Sequence, residues 1–194
     1  MTSRKVEIIR KTKETDISLK LDLDGGDIKI STGVPFFDHL LTAMTFHGGI
    51  GIDLKAEGDI EVDPHHLIED TGLVLGAALL KTIENYGAIN RFAHTIIPMD
   101  EALSEITMDV CGRPYLVYKA DFPQEYSGQF QMALLKEFFA ALANAAGMAL
   151  HAECRYGENS HHMAESLFKA LGKAVKSSFS LSNSKLVMST KGKL

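Results

Sequence analysis

The sequence predicts an α+β fold made of two similar half-domains, and three observations carry that expectation. Short β-branched segments with alternating polarity precede and separate two long amphipathic runs in each half of the chain. Phe36-Phe37-Asp38-His39-Leu40-Leu41 aligns with Leu134-Leu135-Lys136-Glu137-Phe138-Phe139, and His65-His66-Leu67-Ile68-Glu69 aligns with His161-His162-Met163-Ala164-Glu165. An internal repeat of about 96 to 98 residues follows from these offsets. Finally, 194 residues with 45% hydrophobic and 23% charged side chains have an ordinary globular composition with room for a sizeable core. The division expected is residues 1–92 and 93–194, joined in one compact domain. Each half is too small to bury a core well alone, so the two sheets are expected to pack on each other.

Residues 5–10 and 17–23 read as strands, and the turn Asp24-Gly25-Gly26-Asp27 leads to a third strand at 28–31. Phe36, Phe37, Leu40, Leu41 and Met44 recur at helical spacing until Gly48-Gly49 ends the run. A strand over 50–56 follows, and Pro64 then opens a helix from His65 to Gly87. The second half repeats the order, with strands at 93–97, 104–110 and 115–120, a helix over 130–146, a strand over 148–156 and a helix over 161–179.

Composition narrows the function. Twenty basic against 25 acidic residues give a net charge of −5, which offers little support for binding a phosphate backbone, so nucleic acid is not an expected partner. No apolar run reaches the roughly 20 residues a membrane span needs, and the first 20 residues lack a signal-peptide apolar region, so a cytoplasmic protein is expected. Cys111 and Cys154 form no CxxC pattern and are read as small apolar fillers.

The chemistry lies in the motif His-His-x-x-Glu, which occurs as His65, His66, Glu69 and as His161, His162, Glu165. Residues four apart share a helix face, so His65 with Glu69 and His161 with Glu165 can each chelate one cation. The neighbouring histidine is turned about 100° away and more naturally reaches a second metal. Imidazole and carboxylate donors without thiolates suit manganese, iron, cobalt, nickel or zinc. His39 and its repeat counterpart Glu137 are candidate further ligands. His47, at a helix end where a cationic imidazole would favour the dipole, is a candidate substrate contact. Arg91, Arg113 and the tail Ser189-Thr190-Lys191-Gly192 supply the donors that a phosphate group needs.

Several longer motifs resemble one family over essentially the whole chain. They are Thr12-Lys13-Glu14-Thr15, Gly33 to Leu41, Pro98-Met99-Asp100-Glu101-Ala102-Leu103, Gly112-Arg113-Pro114-Tyr115, Asn159-Ser160-His161-His162 through Phe168-Lys169-Ala170, and Ser189-Thr190-Lys191-Gly192. The chain resembles the imidazole-glycerol-phosphate dehydratases of histidine biosynthesis, which are manganese-dependent hydro-lyases. The resemblance implies two four-stranded sheets stacked with helices on the outer faces. It also implies self-association into a 24-mer with active sites between subunits.

By the same resemblance, His39, His65, His66, Glu69, Glu137, His161, His162 and Glu165 are the ligands of two Mn²⁺ ions per active site. Arg91, Arg113, Ser189 and Lys191 lie by the substrate phosphate, with Glu14 and Lys169 as further contacts. Glu14, Glu69, Glu165 and Lys169 are the candidate catalytic residues. The chain departs from the family at Glu137, usually histidine, at Ala43, often glutamine, at Pro64, commonly aspartate, and at Met188, commonly proline. The reaction implied removes water from D-erythro-imidazole-glycerol phosphate to give imidazole-acetol phosphate. A dinuclear hydrolase of phosphomonoesters would use the same ligands and is the alternative.

Overall fold

The computed structural model describes residues 4–182. Strands β1 (Lys5–Lys11), β2 (Thr15–Asp22), β3 (Ile28–Ser31) and β4 (Gly51–Gly58) form one sheet in the order β1-β2-β4-β3. Helix α1 (Pro35–Gly48) precedes β4 and helix α2 (His65–Tyr86) follows it. A second sheet in the order β5-β6-β10-β7 contains β5 (Phe92–Met99), β6 (Ala102–Val110), β7 (Tyr115–Lys119) and β10 (Met148–Tyr156). Between β7 and helix α3 (Leu134–Ala146), the short strands β8 (Tyr126–Ser127) and β9 (Phe130–Gln131) pair as a hairpin, and helix α4 (Ser160–Ser178) follows β10.

The α+β class and the two four-stranded sheets agree with expectation, but the order of the layers does not. Ile17, Leu19 and Leu21 of β2 register with Ala56, Leu54 and Ile52 of β4 on the buried face, whereas Lys20 and Asp22 point outward. That outer face carries cross-strand ion pairs, Lys5–Asp22 at 3.6 Å and Lys20–Glu7 at 3.9 Å. With one wet face, each sheet has a single covering layer. That layer is helical: α2 packs on β1 and β2, and α4 packs on β5 and β6. The helices then pack on each other across the halves, α1 on α4 and α2 on α3. Most of the 19 residues of α4 are buried, as only a helix covered on more than one side can be. The helices therefore lie between the sheets rather than outside them.

Glycines set how closely the helices approach. A Cβ on Gly172 of α4 would lie 1.9 Å from the Met44 carbonyl oxygen of α1, and one on Gly48 would meet the Gly172 carbonyl at 2.8 Å. In the other pair, Gly72 faces the Phe138 carbonyl at 2.6 Å and Gly76 faces Ala145 and the Leu142 carbonyl at 2.7 Å. The contacts of α2 with α3 advance along both helices together, so this pair runs parallel. Phe37, Phe138, Phe139 and Phe168 fill the centre, with Phe37–Phe138 ring centroids 5.4 Å apart and Phe138–Phe168 5.3 Å apart.

The expected helix over 130–146 starts later. Phe130 has helical spacing from Leu134, but Gly128 at φ 61° turns the chain and commits Phe130 to the β8–β9 hairpin. Cys111 is buried and Cys154 half-buried, both as free thiols, and burial pushes the Cys154 thiol up to about 11. No helix of the described residues is long and apolar enough to cross a membrane.

Candidate metal centre

The first turns of the helices gather at one end of the molecule. His39 from α1 and His161 from α4 line a groove of about 670 Å³ together with Pro64, which precedes α2, and Gly128 and Phe130 of the hairpin. Asn159 caps α4, its side chain accepting from the His161 amide at 2.9 Å. His161 Nε2 lies 3.2 Å from Glu165 Oε2, the i, i+4 pairing expected, and His39 Nε2 approaches the same oxygen at 3.1 Å. The donor atoms of His39, His161 and Glu165 all lie within 4.8 Å of one another. Two imidazoles and a carboxylate so arranged fit a divalent first-row metal ion. Phe36 closes one side, its ring 5.1 Å from that of His161.

Lys169, one turn beyond Glu165, donates to Glu165 Oε1 at 2.9 Å and leaves Oε2 to the histidines. Burial works to raise the Glu165 carboxyl, but the hydrogen bonds from Lys169 and His39 outweigh it and hold the group below its ordinary value. Glu165 is thus a fixed anion. His47 lies near Lys169 and Lys173; burial first, and then these two charges, hold its imidazole below the ordinary value. These surroundings oppose the cationic form that would favour the helix dipole.

The counterpart trio in the other half is looser. His65 Nε2 and Glu69 Oε2 are 3.5 Å apart. Glu137 occupies the first turn of α3, and it is not drawn to His65 and Glu69 as closely as His39 is to its partners. Two of these three groups are carboxylates, which repel each other, whereas the tight trio sets one carboxylate between two imidazoles.

His66 and His162 turn away from both trios. His66 Nδ1 faces Asp59 at 3.1 Å and Glu14 at 3.8 Å, and the Asp59 hydrogen bond raises the imidazole above its ordinary value. His162 Nδ1 lies 2.8 Å from Glu101 Oε2. The hydrogen bonds from His162 and the Asn159 amide hold the Glu101 carboxyl at about 2. Asp59 and Glu101 are absent from the sequence-based candidates; the only signal for Glu101 is its place in the run Pro98 to Leu103.

The arginines lie at the opposite end. The Arg91 amide donates to the Ser178 carbonyl at 2.9 Å, at the last turn of α4, whereas His161 is in its first turn. At 1.5 Å per residue these points are about 25 Å apart. Arg91 takes φ 72° and pairs with Asp109 at 2.6 Å. Arg113 is exposed just beyond β6, where its carbonyl accepts from the Cys111 thiol at 3.7 Å. Ser189 and Lys191, like Met188, lie outside the described residues.

Comparison with known proteins matches the chain to one family. A family model described as imidazoleglycerol-phosphate dehydratase matches residues 32–175. The imidazoleglycerol-phosphate dehydratase of Alkaliphilus metalliredigens is 48% identical over 187 residues, which is 95% of this chain and 96% of that protein. That of Oceanobacillus iheyensis is 48% identical over 193 residues, covering 98% of this chain and 100% of the relative. Among solved structures, the Pyrococcus furiosus enzyme in complex with (S)-C348 superposes with a TM-score of 0.85 at 37% identity, covering 96% of this chain and all of that one. The Staphylococcus aureus enzyme gives a TM-score of 0.83 at 34% identity, covering 92% of this chain and 99% of that one. The chain belongs to the imidazoleglycerol-phosphate dehydratase family of hydro-lyases.

Proposed function

We propose that the protein dehydrates D-erythro-imidazole-glycerol phosphate to imidazole-acetol phosphate in histidine biosynthesis, using two manganese ions per active site. The observation that carries this reading is the convergence of His39, His161 and Glu165, with Lys169 holding the far oxygen of the carboxylate. One ion would be held by His39, His161 and Glu165 with a His66, and the other by His65, Glu69 and Glu137 with a His162. Manganese bound there supplies Lewis-acid polarisation of the substrate's imidazole and hydroxyl groups.

The chain's own groups divide the remaining work. The bond to be broken joins the hydroxyl to the carbon beside the imidazole, and the proton to be lost is on the next carbon, which no carbonyl acidifies. Electrons must therefore come from the ring, and carboxylates must carry the proton. Glu165 is kept ionised by Lys169, so it orients and accepts rather than donates. Glu14, exposed beside His66, is the carboxylate open to solvent and is assigned the proton transfer. Lys169 and Lys173 bring positive charge to the flank of α4 beside His47, which suits the phosphate.

A molecule of one imidazole, three carbons and one phosphate does not span the roughly 25 Å between His161 and Arg91 in one chain. The active site therefore combines the metal-binding end of one copy with the arginine end of another, which supports an assembly with interfacial sites such as a 24-mer. His66 and His162, turned from the trios of their own chain, are the ligands that neighbouring copies would contribute. Manganese-loaded protein is to be incubated with imidazole-glycerol phosphate and followed by NMR. Imidazole-acetol phosphate is expected, chelation should abolish it, and added Mn²⁺ should restore it. Release of inorganic phosphate instead would favour a hydrolase and overturn the reading.

A further inference from the structure

We infer that Glu101 is a positioning residue that sets the tautomer of His162, so that Nε2 presents its lone pair to a metal ion. The inference rests on the reading of His162 as a ligand. Glu101 sits in the turn between β5 and β6, the same place that Glu14 holds between β1 and β2. Its two oxygens have separate tasks. Oε1 accepts from the backbone amides of Glu158 at 3.1 Å and Asn159 at 2.8 Å, the residues that lead into α4. Oε2 faces His162 Nδ1 at 2.8 Å.

A carboxylate in that position can only accept, so the proton of a neutral ring must be on Nδ1 and the lone pair on Nε2. Asp100 fits the same purpose. It takes the left-handed conformation at φ 48°, which bends the chain so that Glu101 points back at α4; its own exposed carboxylate, 3.7 Å from His162 Nε2, is beyond hydrogen-bond distance and leaves that nitrogen's lone pair open. The first half reaches the same outcome with a different residue. His66 Nδ1 faces Asp59 Oδ2 at 3.1 Å, and Asp59 follows β4 rather than filling the turn between β1 and β2. Both second histidines of the repeated motif thus have a carboxylate on Nδ1, supplied by non-corresponding positions. Such outer partners fix the tautomer and ring orientation of a ligating histidine, and their loss typically costs ten- to a hundredfold in metal affinity.

The anchoring of Oε1 makes Glu101→Gln a sharp test. The two backbone N–H groups require an oxygen, so the glutamine carbonyl must face them and its NH₂ must face Nδ1. Nδ1 then has to accept, the proton moves to Nε2, and the lone pair at the metal side is lost. Side-chain volume and both backbone bonds are kept. Full-length protein, wild type and variants Glu101→Gln and His162→Ala, would be titrated with Mn²⁺ by EPR, and the metal-free forms labelled with ¹⁵N-histidine for NMR. The His162 signals are those missing in His162→Ala.

In Glu101→Gln the His162 signals should change from the Nδ1–H to the Nε2–H pattern. Affinity for one class of Mn²⁺ should fall about ten- to a hundredfold, with the protein still folding cooperatively at neutral pH. A retained Nδ1–H pattern, or unchanged Mn²⁺ affinity in Glu101→Gln while His162→Ala loses metal, overturns the role of Glu101. Unchanged Mn²⁺ binding in His162→Ala itself overturns the reading of His162 as a ligand, and the inference with it.

Discussion

Substituting Gly172 by alanine should disturb stability and metal binding together, because one close contact serves both. The added Cβ would lie 1.9 Å from the Met44 carbonyl oxygen. An ordinary C···O approach is about 3.3 Å, so α1 and α4 must separate by roughly 1.4 Å. Relief by a side-chain rotation is excluded, because the obstacle is backbone. Overpacking of this kind costs about 1–3 kcal/mol, and alanine returns up to about 1 kcal/mol through its helix propensity, leaving about 1–2 kcal/mol of destabilisation. For a chain of this length that is a fall of about 2–8 °C in thermal midpoint. His39 is on the displaced helix and contacts Glu165 on the other at 3.1 Å, while site geometry tolerates only about 0.5 Å. Mn²⁺ affinity should therefore fall as well. Scanning calorimetry and an EPR titration measure the two effects. Gly49→Ala is the control: its Cβ meets nothing within 4 Å, and only the left-handed backbone at φ 60° costs about 1–2 kcal/mol, with no effect on metal. A Gly172→Ala protein that melts like wild type and binds Mn²⁺ with the same affinity would refute the coupling of helix approach to ligand geometry.

Further outcomes are expected elsewhere. Glu137→Ala should weaken one class of Mn²⁺ site and Glu137→His should retain it, as read by metal analysis after dialysis; equal metal content in all three proteins would remove Glu137 from the ligand set. Glu101 is held at about 2 against an ordinary 4.5, so its stabilisation is complete above pH 4.5 and is lost as pH falls through 2. Glu101→Gln should accordingly flatten the stability–pH curve of metal-free protein in that window, and an unaltered acid limb would contradict the assignment. The Tyr118 hydroxyl is buried with no hydrogen-bond partner among the described residues, so Tyr118→Phe should melt at the same temperature as wild type or higher. Co-expression of Arg91→Ala with His161→Ala, each inactive alone, should restore activity to about a quarter of wild type if every site draws these residues from two copies; no activity in the mixture would place the site within one chain.

The repeated motif and the strand and helix order were legible because each rests on local spacing. The pairing of His161 with Glu165 is a matter of four residues on one helix, and it appears at 3.2 Å. Layer order was not legible in that way. Alternation in β2 shows that Lys20 and Asp22 face away from Leu19 and Leu21, but only the packing of α1 on α4 and α2 on α3 shows what covers the inner face. The arrival of His39 at Glu165 depends on the contact of Gly172 with Met44, which joins positions 128 residues apart in the chain. Glu101 and Asp59 escaped notice because a carboxylate in a turn has no periodicity to mark it. Phe130 misled for the opposite reason, since a buried apolar residue at helical spacing belongs to a hairpin.

Because every helix pair unites one half with the other, the molecule resembles two associated subunits that share one chain. Neither half keeps its inner face covered without its companion, so unfolding should be a single cooperative event rather than two. The join from Gly87 to Arg91 is short, and it is fastened to the end of α4 and the segment beyond it: Asn90 donates to the Ser180 carbonyl, Arg91 to that of Ser178, and Ser182 to that of Ala88. A short connection gives the two halves a high effective concentration for each other and so favours pairing within one chain. Lengthening or cutting it would expose the same complementary surfaces to other copies, and exchange of halves between chains would become the expected misassembly.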